Sequence, residues 1–409
     1  MTPDRNPVAA KRGWTLLGPA FVAAIAYVDP GNIAANVSAG AEFGFLLVWV
    51  IVVANVMAAL VQYLSAKLGL VTGRTLPEAV RDRTSTPSRI AYWVQAELVA
   101  IATDVAEIIG GAIALYLLFD LPLMVGGVIT GLVSLGLLSI GDRRGQRMFE
   151  RVIIGLLLVI TIGFLASLVV NPPPAAAVAA GLVPRFDGVQ SVLLATAMLG
   201  ATVMPHAVYL HSGLARDRHG HPDPGPVRAR LLRATRWDVG IAMLVAGSVN
   251  LALLLVAATN LRGREGTDTI EGAHAAVGEA LGPGVALFFA IGLLASGLAS
   301  TSVGAYAGAM IMQGLLRRRF SLLVRRLFTL VPALLVLASG VEPTRALVLS
   351  QVVLSFGIPF ALVPLIRATS DCTLMGADVN GRLISALGWL VAGLITLLNV
   401  ALIYLTVAG

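Results

Sequence analysis

The sequence Ala26-Tyr27-Val28-Asp29-Pro30-Gly31-Asn32 interrupts the first long apolar segment of the chain. Residues 16–28 and 33–41 on either side are typical of a membrane helix. Proline removes an amide donor and clashes with the preceding turn, and glycine adds backbone freedom, so we expect the helix to open here. Opened backbone at membrane depth needs protein or a water-filled cavity around it. An ionisable residue at this depth is therefore a candidate functional residue.

A second interruption of this kind lies roughly half the chain away. Met204-Pro205-His206 separates two apolar stretches, residues 193–203 and 207–214. Two broken apolar segments at corresponding positions of two halves indicate the substrate site of a secondary transporter built from inverted repeats.

Composition places the chain in a membrane. Of its 409 residues, 57% are hydrophobic and 12% are charged, and the mean hydropathy is +0.87. This is outside the range of a water-soluble globular protein, so we predict an all-α integral membrane protein. The formal charge of +7 does not indicate nucleic-acid binding, because the basic residues fall in short loops between apolar segments. The single cysteine, Cys372, excludes an internal disulfide framework and a thiolate metal cluster.

About eleven apolar segments are long enough to span a bilayer, which requires about 20 residues each. We place them at 15–38, 44–70, 90–118, 122–140, 151–170, 189–214, 238–260, 284–312, 321–340, 346–366 and 383–407. The loops are too short to form a core of their own, so we predict a single transmembrane domain over residues 1–409. Its first repeat is predicted over 13–170, its second over 189–366, and one further helix follows at 383–407.

The distribution of cations predicts the orientation. Lys and Arg concentrate in the loops on one side, the side of the N-terminus, and cytoplasmic loops retain such residues. The exceptions among the 29 Lys and Arg residues are Arg185, Arg262, Arg264 and Arg345. We therefore predict a multi-pass protein of the cell (inner) membrane with a cytoplasmic N-terminus and, given an odd number of spans, an external C-terminus.

The two interruptions contain residues that could hold a cation. Asp29 offers a carboxylate, Asn32 an amide oxygen and Met204 a thioether, and we expect free backbone carbonyls at Ala26 and Ala201. Oxygen ligands alone would suit Na⁺, Mg²⁺ or Ca²⁺. A thioether shifts the preference toward softer ions such as Mn²⁺ and Fe²⁺.

Ionisable residues also occur on the third segment, where Glu97, Asp104 and Glu107 share one helix face. Burying three acids is costly unless they meet water, protons or cations. Together with His206 and Asp29 they form either a proton relay or an ion-paired packing network that includes Arg325 and Arg326. Gln351, a polar residue in the apolar tenth segment, is either an interhelical hydrogen-bonding group or an additional ligand.

At these residues the chain resembles the Nramp family of proton-coupled divalent metal transporters, and among them the bacterial manganese transporters. The resemblance rests on Asp29-Pro30-Gly31-Asn32, on residues 200–206 (GATVMPH) with 209–212 (YLHS), on 60–69 (LVQYLSAKLG) and on 102–107 (ATDVAE). It covers the chain from about residue 13 to about residue 368.

The resemblance implies a LeuT-like fold, with segments 1 to 5 and 6 to 10 as inverted repeats, segments 1 and 6 broken and an eleventh helix appended. It assigns metal coordination to Asp29, Asn32, Met204 and the carbonyls of Ala26 and Ala201, and Gln351 matches a family position that approaches the metal in some states. It assigns proton movement to Asp29, His206, Glu97, Asp104, Glu107, Arg325 and Arg326. One departure occurs at Leu298-Ala299, where family members commonly carry Gln-Ser, which puts a polar role of this stretch in doubt.

The function expected from these residues is import of Mn²⁺, Fe²⁺ or similar ions together with H⁺, by alternating access and without a cofactor or an obligate protein partner. An alternative is a sodium-coupled carrier of a small organic solute on the same fold, which would not need Met204. An intramembrane metalloprotease is disfavoured because the sequence lacks a His-Glu-x-x-His pair, so we predict that the chain is not an enzyme.

Overall fold

A computed structural model describes residues 18–144, 146–264, 266–267, 269–318 and 322–408, and every regular element in these ranges is helical. The helices are α1 (Pro19–Ile25), α2 (Pro30–Phe43), α3 (Val48–Thr72), α4 (Leu76–Arg81), α5 (Thr86–Phe119), α6 (Leu123–Arg144), α7 (Gln146–Val170), α8 (Ala175–Ala180), α9 (Gly188–Thr202), α10 (Pro205–His219), α11 (Pro226–Asn260), α12 (Ile270–Leu281), α13 (Pro283–Leu316), α14 (Leu322–Ala338), α15 (Pro343–Thr369), α16 (Cys372–Met375) and α17 (Arg382–Ala408).

The helices account for all eleven predicted apolar segments. Seven of the described spans are long and apolar enough to cross a bilayer by themselves, counting α9 and α10 as one span. Shorter apolar helices or parts of helices cover Pro19–Val28, Leu123–Gly136 and Thr329–Ala338, and α7 covers the remaining segment at 151–170. The all-helical membrane fold with broken first and sixth segments is thus confirmed, while the boundaries of the two repeats stay a prediction.

Helix ends follow from local sequence. Pro30, Pro205 and Pro343 each occupy the first helical position, where the missing N–H would have no helical acceptor in any case. The seventh span begins earlier than expected: α11 starts at Pro226, about three turns before the apolar run at 238. Its first turns are polar, so hydropathy alone places its start too late.

The packing encloses the two broken spans. Helix α2 packs against α9, α11 and α15, and α10 packs against α3, α13 and α15. Helix α13 also contacts α5 and α7, while α17 lies against α15 and α9 at the outside of the bundle. The interruptions in both broken spans are therefore surrounded by other helices, as backbone away from water requires.

Candidate functional site

The first break is closed by hydrogen bonds from side chains. Helix α1 passes into a 3₁₀ turn over Ala26–Val28, and Asp29 then adopts an extended conformation (φ −75°, ψ 166°) before α2 begins. Asp29 caps α2, because its Oδ1 accepts a hydrogen bond from the Asn32 amide at 2.8 Å. The Tyr27 carbonyl accepts from Asn32 Nδ2 at 2.5 Å and from Asn250 Nδ2 at 2.8 Å. The helix opens where the sequence predicts.

The second break joins the first. Helix α9 ends at Thr202, and Val203 and Met204 are non-helical before Pro205 starts α10. The Ala201 carbonyl accepts from Asn32 Nδ2 at 3.2 Å, so one side chain bridges the two interruptions. Met204 is fully buried, and its side chain makes no capping hydrogen bond to α10.

Gln351 of α15 lies against both breaks. Its Nε2 donates to Asp29 Oδ2 at 3.2 Å, while its Oε1 is buried without a hydrogen-bond partner in the described part of the chain. Two glycines make room for it. A Cβ on Gly31 would lie 1.7 Å from Gln351 Nε2, and one on Gly200 would lie 2.0 Å from the Gln351 carbonyl oxygen. Of the two roles predicted for Gln351, the interhelical hydrogen bond is present in the structure, and the role as a ligand stays a prediction.

The residues predicted to coordinate a cation lie buried at or beside the two breaks. They are all at most 1% exposed: Ala26, Asp29, Asn32, Ala201, Met204 and Gln351. Hydrogen bonds link four of them, namely Asp29, Asn32, Ala201 and Gln351. Among the described residues there is no group of three or more His, Cys, Asp or Glu side chains that could hold a metal. A cation here would meet one carboxylate, amide and backbone oxygens and a thioether.

Both polar atoms of the Asn32 side chain, Nδ2 and Oδ1, form hydrogen bonds. Its Oδ1 accepts from Asn36 Nδ2 at 2.9 Å, and Asn36 also donates to Asn250 Oδ1 at 3.2 Å. An amide oxygen has two lone pairs, so Asn32 Oδ1 can face a cation while it keeps Asn36. Asn36 and Asn250 were not predicted as site residues, although each is a polar residue in an apolar run.

One of the residues predicted for proton movement, His206, lies next to the second break. His206 is buried in the first turn of α10, with Nδ1 3.4 Å from Thr103 Oγ1 on α5. Asp104 and Glu107 are buried on the same helix, whereas Glu97 is only partly buried. The Glu107 carboxylate faces α13, where a Cβ on Gly304 would lie 3.2 Å from Glu107 Oε1. The side chains of Arg325 and Arg326 on α14 lie outside the described residues, although α14 packs against α5.

A buried polar chain that sequence reasoning missed leads away from the first break. Gln62 Nε2 on α3 donates to the Tyr27 hydroxyl, and Gln62 Oε1 lies 2.7 Å from His211 Nδ1 on α10. All three residues are at most 1% exposed. Like Gln351, Gln62 is a carboxamide within an apolar segment. This pattern could have indicated Gln62 as a buried polar residue from the sequence.

Serines of α13 hold the first broken span from the other side. Ser296 Oγ donates to the Val28 carbonyl, and Ser300 Oγ donates to the Ile25 carbonyl at 3.3 Å. The departure from the family pattern at Leu298-Ala299 lies between these serines. It leaves their hydrogen bonds to the broken span intact, so this stretch keeps a polar role.

Two broken spans that meet around a buried polar centre are typical of transporters of LeuT-like fold. The fold is shared with Mhp1, a nucleobase-cation-symport-1 family transporter, at a TM-score of 0.58 and 17% identity over 100% of this chain and 96% of that chain. The family model "Natural resistance-associated macrophage protein-like" (Nramp) matches residues 20–405. The chain belongs to the Nramp family, as its motifs predict.

Individual relatives agree with this assignment. The divalent metal cation transporter MntH of Mycobacterium tuberculosis is 70% identical over 399 residues, which cover 98% of this chain and 93% of the relative. The crystal structure of a manganese transporter from Eremococcus coleocola matches with a TM-score of 0.83 and 33% identity, over 94% of this chain and 85% of that one. Membership in this family of membrane transporters confirms the prediction that the chain is not an enzyme.

Proposed function

We propose that this protein imports divalent transition-metal ions, Mn²⁺, Fe²⁺ and similar ions, together with protons, by alternating access around the two breaks. One observation carries the proposal. Asp29, Asn32, Ala201 and Gln351 form one hydrogen-bonded cluster across two broken helices, and the thioether of buried Met204 lies at the second break. The names of the relatives, a divalent metal cation transporter and a manganese transporter, support the same substrate class.

The transported ion would be held by Asp29, Asn32, Met204, Gln351 and the carbonyls of Ala26 and Ala201. The Asp29 carboxylate supplies the charge, and the oxygen donors suit a hard divalent cation. Sulfur favours ions that accept a softer ligand, which raises the affinity for Mn²⁺ and Fe²⁺ relative to Ca²⁺ and Mg²⁺. The ion is the substrate, and no further cofactor is part of the proposal.

Gln351 would change its role when the ion arrives. In the structure Gln351 Nε2 donates to Asp29, and Gln351 Oε1 is buried without a hydrogen-bond partner in the described part of the chain. A cation beside Asp29 repels the partly positive amide hydrogens and attracts the amide oxygen. Rotation of the Gln351 carboxamide would then replace a hydrogen bond by a metal ligand without moving α15.

Protons would move through the acids of α5. The proposed path includes Asp29, His206, Asp104, Glu107, Glu97, Arg325 and Arg326. Buried acids on a helix next to the substrate site are costly unless they exchange protons or pair with cations, and the proposal assigns them the exchange of protons. A negative interior drives a positive charge inward by roughly 2.3 kcal/mol per charge per 100 mV, so import is the favoured direction. The proposed orientation has the N-terminus in the cytoplasm and the C-terminus outside.

The test is uptake by the purified chain in proteoliposomes with an imposed pH gradient. We expect external acid to stimulate Mn²⁺ uptake, exclusion of Mg²⁺ and Ca²⁺, and indifference to Na⁺. Asp29→Ala should abolish uptake. Wild-type protein that moves no Mn²⁺ at any pH would overturn the metal proposal, and uptake of an organic solute that depends on Na⁺ would favour the alternative carrier.

A further inference from the structure

Helix α15, which carries Gln351, contains two prolines in its interior, Pro359 and Pro364. Proline has no backbone N–H, so each removes the hydrogen bond that the carbonyl four residues earlier would accept in an α-helix. The carbonyls concerned belong to Ser355 and Phe360. In a membrane such groups need a replacement donor, which neighbouring helices, ordered water or a local change of helix geometry can supply.

Both carbonyls accept hydrogen bonds from other helices. The Ser355 carbonyl accepts from Asn399 Nδ2 on α17 at 3.0 Å, and the Phe360 carbonyl accepts from the Tyr209 hydroxyl on α10 at 3.2 Å. Asn399 uses its second polar atom on the same residue, because Ser355 Oγ donates to Asn399 Oδ1 at 2.5 Å. Each carbonyl that has no helical donor because of a proline thus accepts one hydrogen bond from a side chain of another helix.

The position of Asn399 is unusual for its helix. Helix α17 is apolar and turns many residues outward, including Leu390, Leu394, Leu397, Val400 and Ile403. Asn399 is only 5% exposed, and Ser355 is fully buried. A buried carboxamide is costly unless it is paired, and the structure pairs both polar atoms of Asn399 with a single residue of α15.

Ser355 lies one helical turn after Gln351, on the same side of α15. This turn packs closely against α9, because a Cβ on Gly200 would lie 2.0 Å from the Gln351 carbonyl and 2.9 Å from the Ser355 amide nitrogen. A change in the backbone at Ser355 would therefore be transmitted to Gln351, whose Nε2 lies 3.2 Å from Asp29 Oδ2.

We propose that Asn399 and Tyr209 are positioning residues that replace the helical donors missing at Pro359 and Pro364 and thereby set the position of Gln351 against Asp29. Asn399 acts from the appended eleventh helix, which lies outside the two predicted repeats. Tyr209 acts from α10, so it ties α15 to the helix that begins directly after Met204. The inference rests on the proposed function, because that function makes Gln351 a ligand of the transported ion.

The main experiment compares Asn399→Leu with the double variant Asn399→Leu/Pro359→Ala in Mn²⁺ uptake. Asn399→Leu leaves the Ser355 carbonyl without a donor, and we expect KM to rise roughly tenfold with little change in the maximal rate. Pro359→Ala returns a backbone N–H to the position that donates to Ser355, so the double variant should recover most of the wild-type KM. A double variant that is as defective as the single one would overturn the inference.

Two further variants separate positioning from general destabilisation. Thr396→Val on α17 removes a hydroxyl that bonds only within its own helix, to the Ala392 carbonyl at 2.7 Å, and should leave KM unchanged. In a Gln351→Ala background, Asn399→Leu should cause no additional rise in KM if it acts through Gln351. An equal rise in both backgrounds would contradict the positioning role.

Tyr209→Phe should likewise raise the KM for Mn²⁺, because it leaves the Phe360 carbonyl without a donor. Pro364→Ala returns a backbone N–H to that carbonyl and should restore the KM. If Asn399→Leu does not yield a folded transporter, recovery of folded protein by Pro359→Ala supports the inference, and failure to recover it counts against it.

The proposed function can fail separately from this inference. An unchanged KM in Gln351→Ala would remove Gln351 from the ion site. A raised KM in Gln351→Ala combined with an unchanged KM in Asn399→Leu would overturn only the present inference.

Discussion

The two helix breaks meet at one site but are held by different interactions. At the first break, Asp29 caps α2, and the Tyr27 and Val28 carbonyls accept hydrogen bonds from side chains of α2, α11 and α13. At the second, Met204 makes no capping hydrogen bond, and the Ala201 carbonyl accepts its hydrogen bond from Asn32 of the first break.

Under the proposed function, this difference would give the two breaks distinct tasks. The first break would supply the negative charge for the ion, and a hydrogen-bonded scaffold surrounds it. The second break would supply a thioether and a carbonyl, and Asn32 bonds to that carbonyl. Substitutions at the first break should therefore affect binding and stability, whereas those at the second should affect the choice of ion.

The largest effect is expected at Asp29. Asn can replace Asp as an N-cap, so Asp29→Asn should fold normally but lose the charge that holds the ion, and uptake should fall at least about 100-fold. Asp29→Ala also loses the cap and should in addition unfold more easily, by about 1 kcal/mol. Transport assays and denaturation of the same preparations separate the two contributions.

Asp371 provides a matched control for Asp29. It caps α16 through the Thr373 amide at 2.7 Å and lies outside the membrane-spanning segments. Hydrogen bonds from Thr373 and from Arg83 lower the pKa of Asp371 to about 2, so it is charged throughout the assay. Asp371→Asn should transport like the wild type. If Asp29→Asn does so too, the first break does not supply the charge for the ion.

A smaller and more selective effect is expected at Met204. Met204→Ala removes the soft ligand, so we expect Mn²⁺ to keep measurable uptake while discrimination against Ca²⁺ falls about tenfold. Competition of Ca²⁺ with Mn²⁺ uptake measures this directly. Met243→Ala, at a buried methionine of α11, is the control. Equal loss of discrimination in both variants would mean that packing, not the thioether, selects the ion.

Asn250 tests the scaffold of the first break. Asn250→Leu removes the donor to the Tyr27 carbonyl and the acceptor for Asn36, which should lower the free energy of unfolding by about 1–3 kcal/mol. Asn260→Leu, nearer the end of the same helix, breaks hydrogen bonds to Val256 and Asn171 away from the site. It should destabilise without changing the KM for Mn²⁺, whereas Asn250→Leu should raise it. Matching KM values in the two variants would argue against the scaffold.

The smallest effect is expected at Ser296. Ser296→Ala leaves the Val28 carbonyl without its side-chain donor and should lower the free energy of unfolding by about 1 kcal/mol. Ser302→Ala on the same helix removes only a hydroxyl that bonds to the Leu298 carbonyl at 3.0 Å. Denaturation curves for the two variants should differ, and coincident curves would show that Ser296 does not stabilise the break.

Much of the fold and of the candidate site could be predicted from the sequence. Eleven apolar segments give the helices, because length and hydropathy are local properties. Proline at residues 30 and 205 gives the positions of the breaks, because a missing N–H acts on its own turn. Asp29 and Asn32 stand out because polar residues are rare in apolar runs, and Met204 stands out because it directly precedes Pro205 and His206. The start of α11 was placed too late, because the first turns of this helix are polar and hydropathy does not detect them.

The hydrogen-bonding partners could not be predicted in this way. The bridge from Asn32 to Ala201 joins residues 169 apart, and Asn36 meets Asn250 across 214 residues. Periodicity shows which residues share a helix face, but not which other helix that face contacts. The partners of Gln62 and Asn399 are therefore known only from the packing of α3 on α10 and of α17 on α15.

The sequence by itself determined that this protein is a membrane protein of eleven helical segments with two breaks, and it indicated the donor types at those breaks, because these properties depend on composition and on local backbone chemistry. Only the tertiary structure decided that both breaks meet, that Gln351 bonds to Asp29, and that side chains of α10 and α17 satisfy the carbonyls freed by proline in α15. The physical reason is that a buried polar group must find a partner, and which partner it finds depends on helix packing.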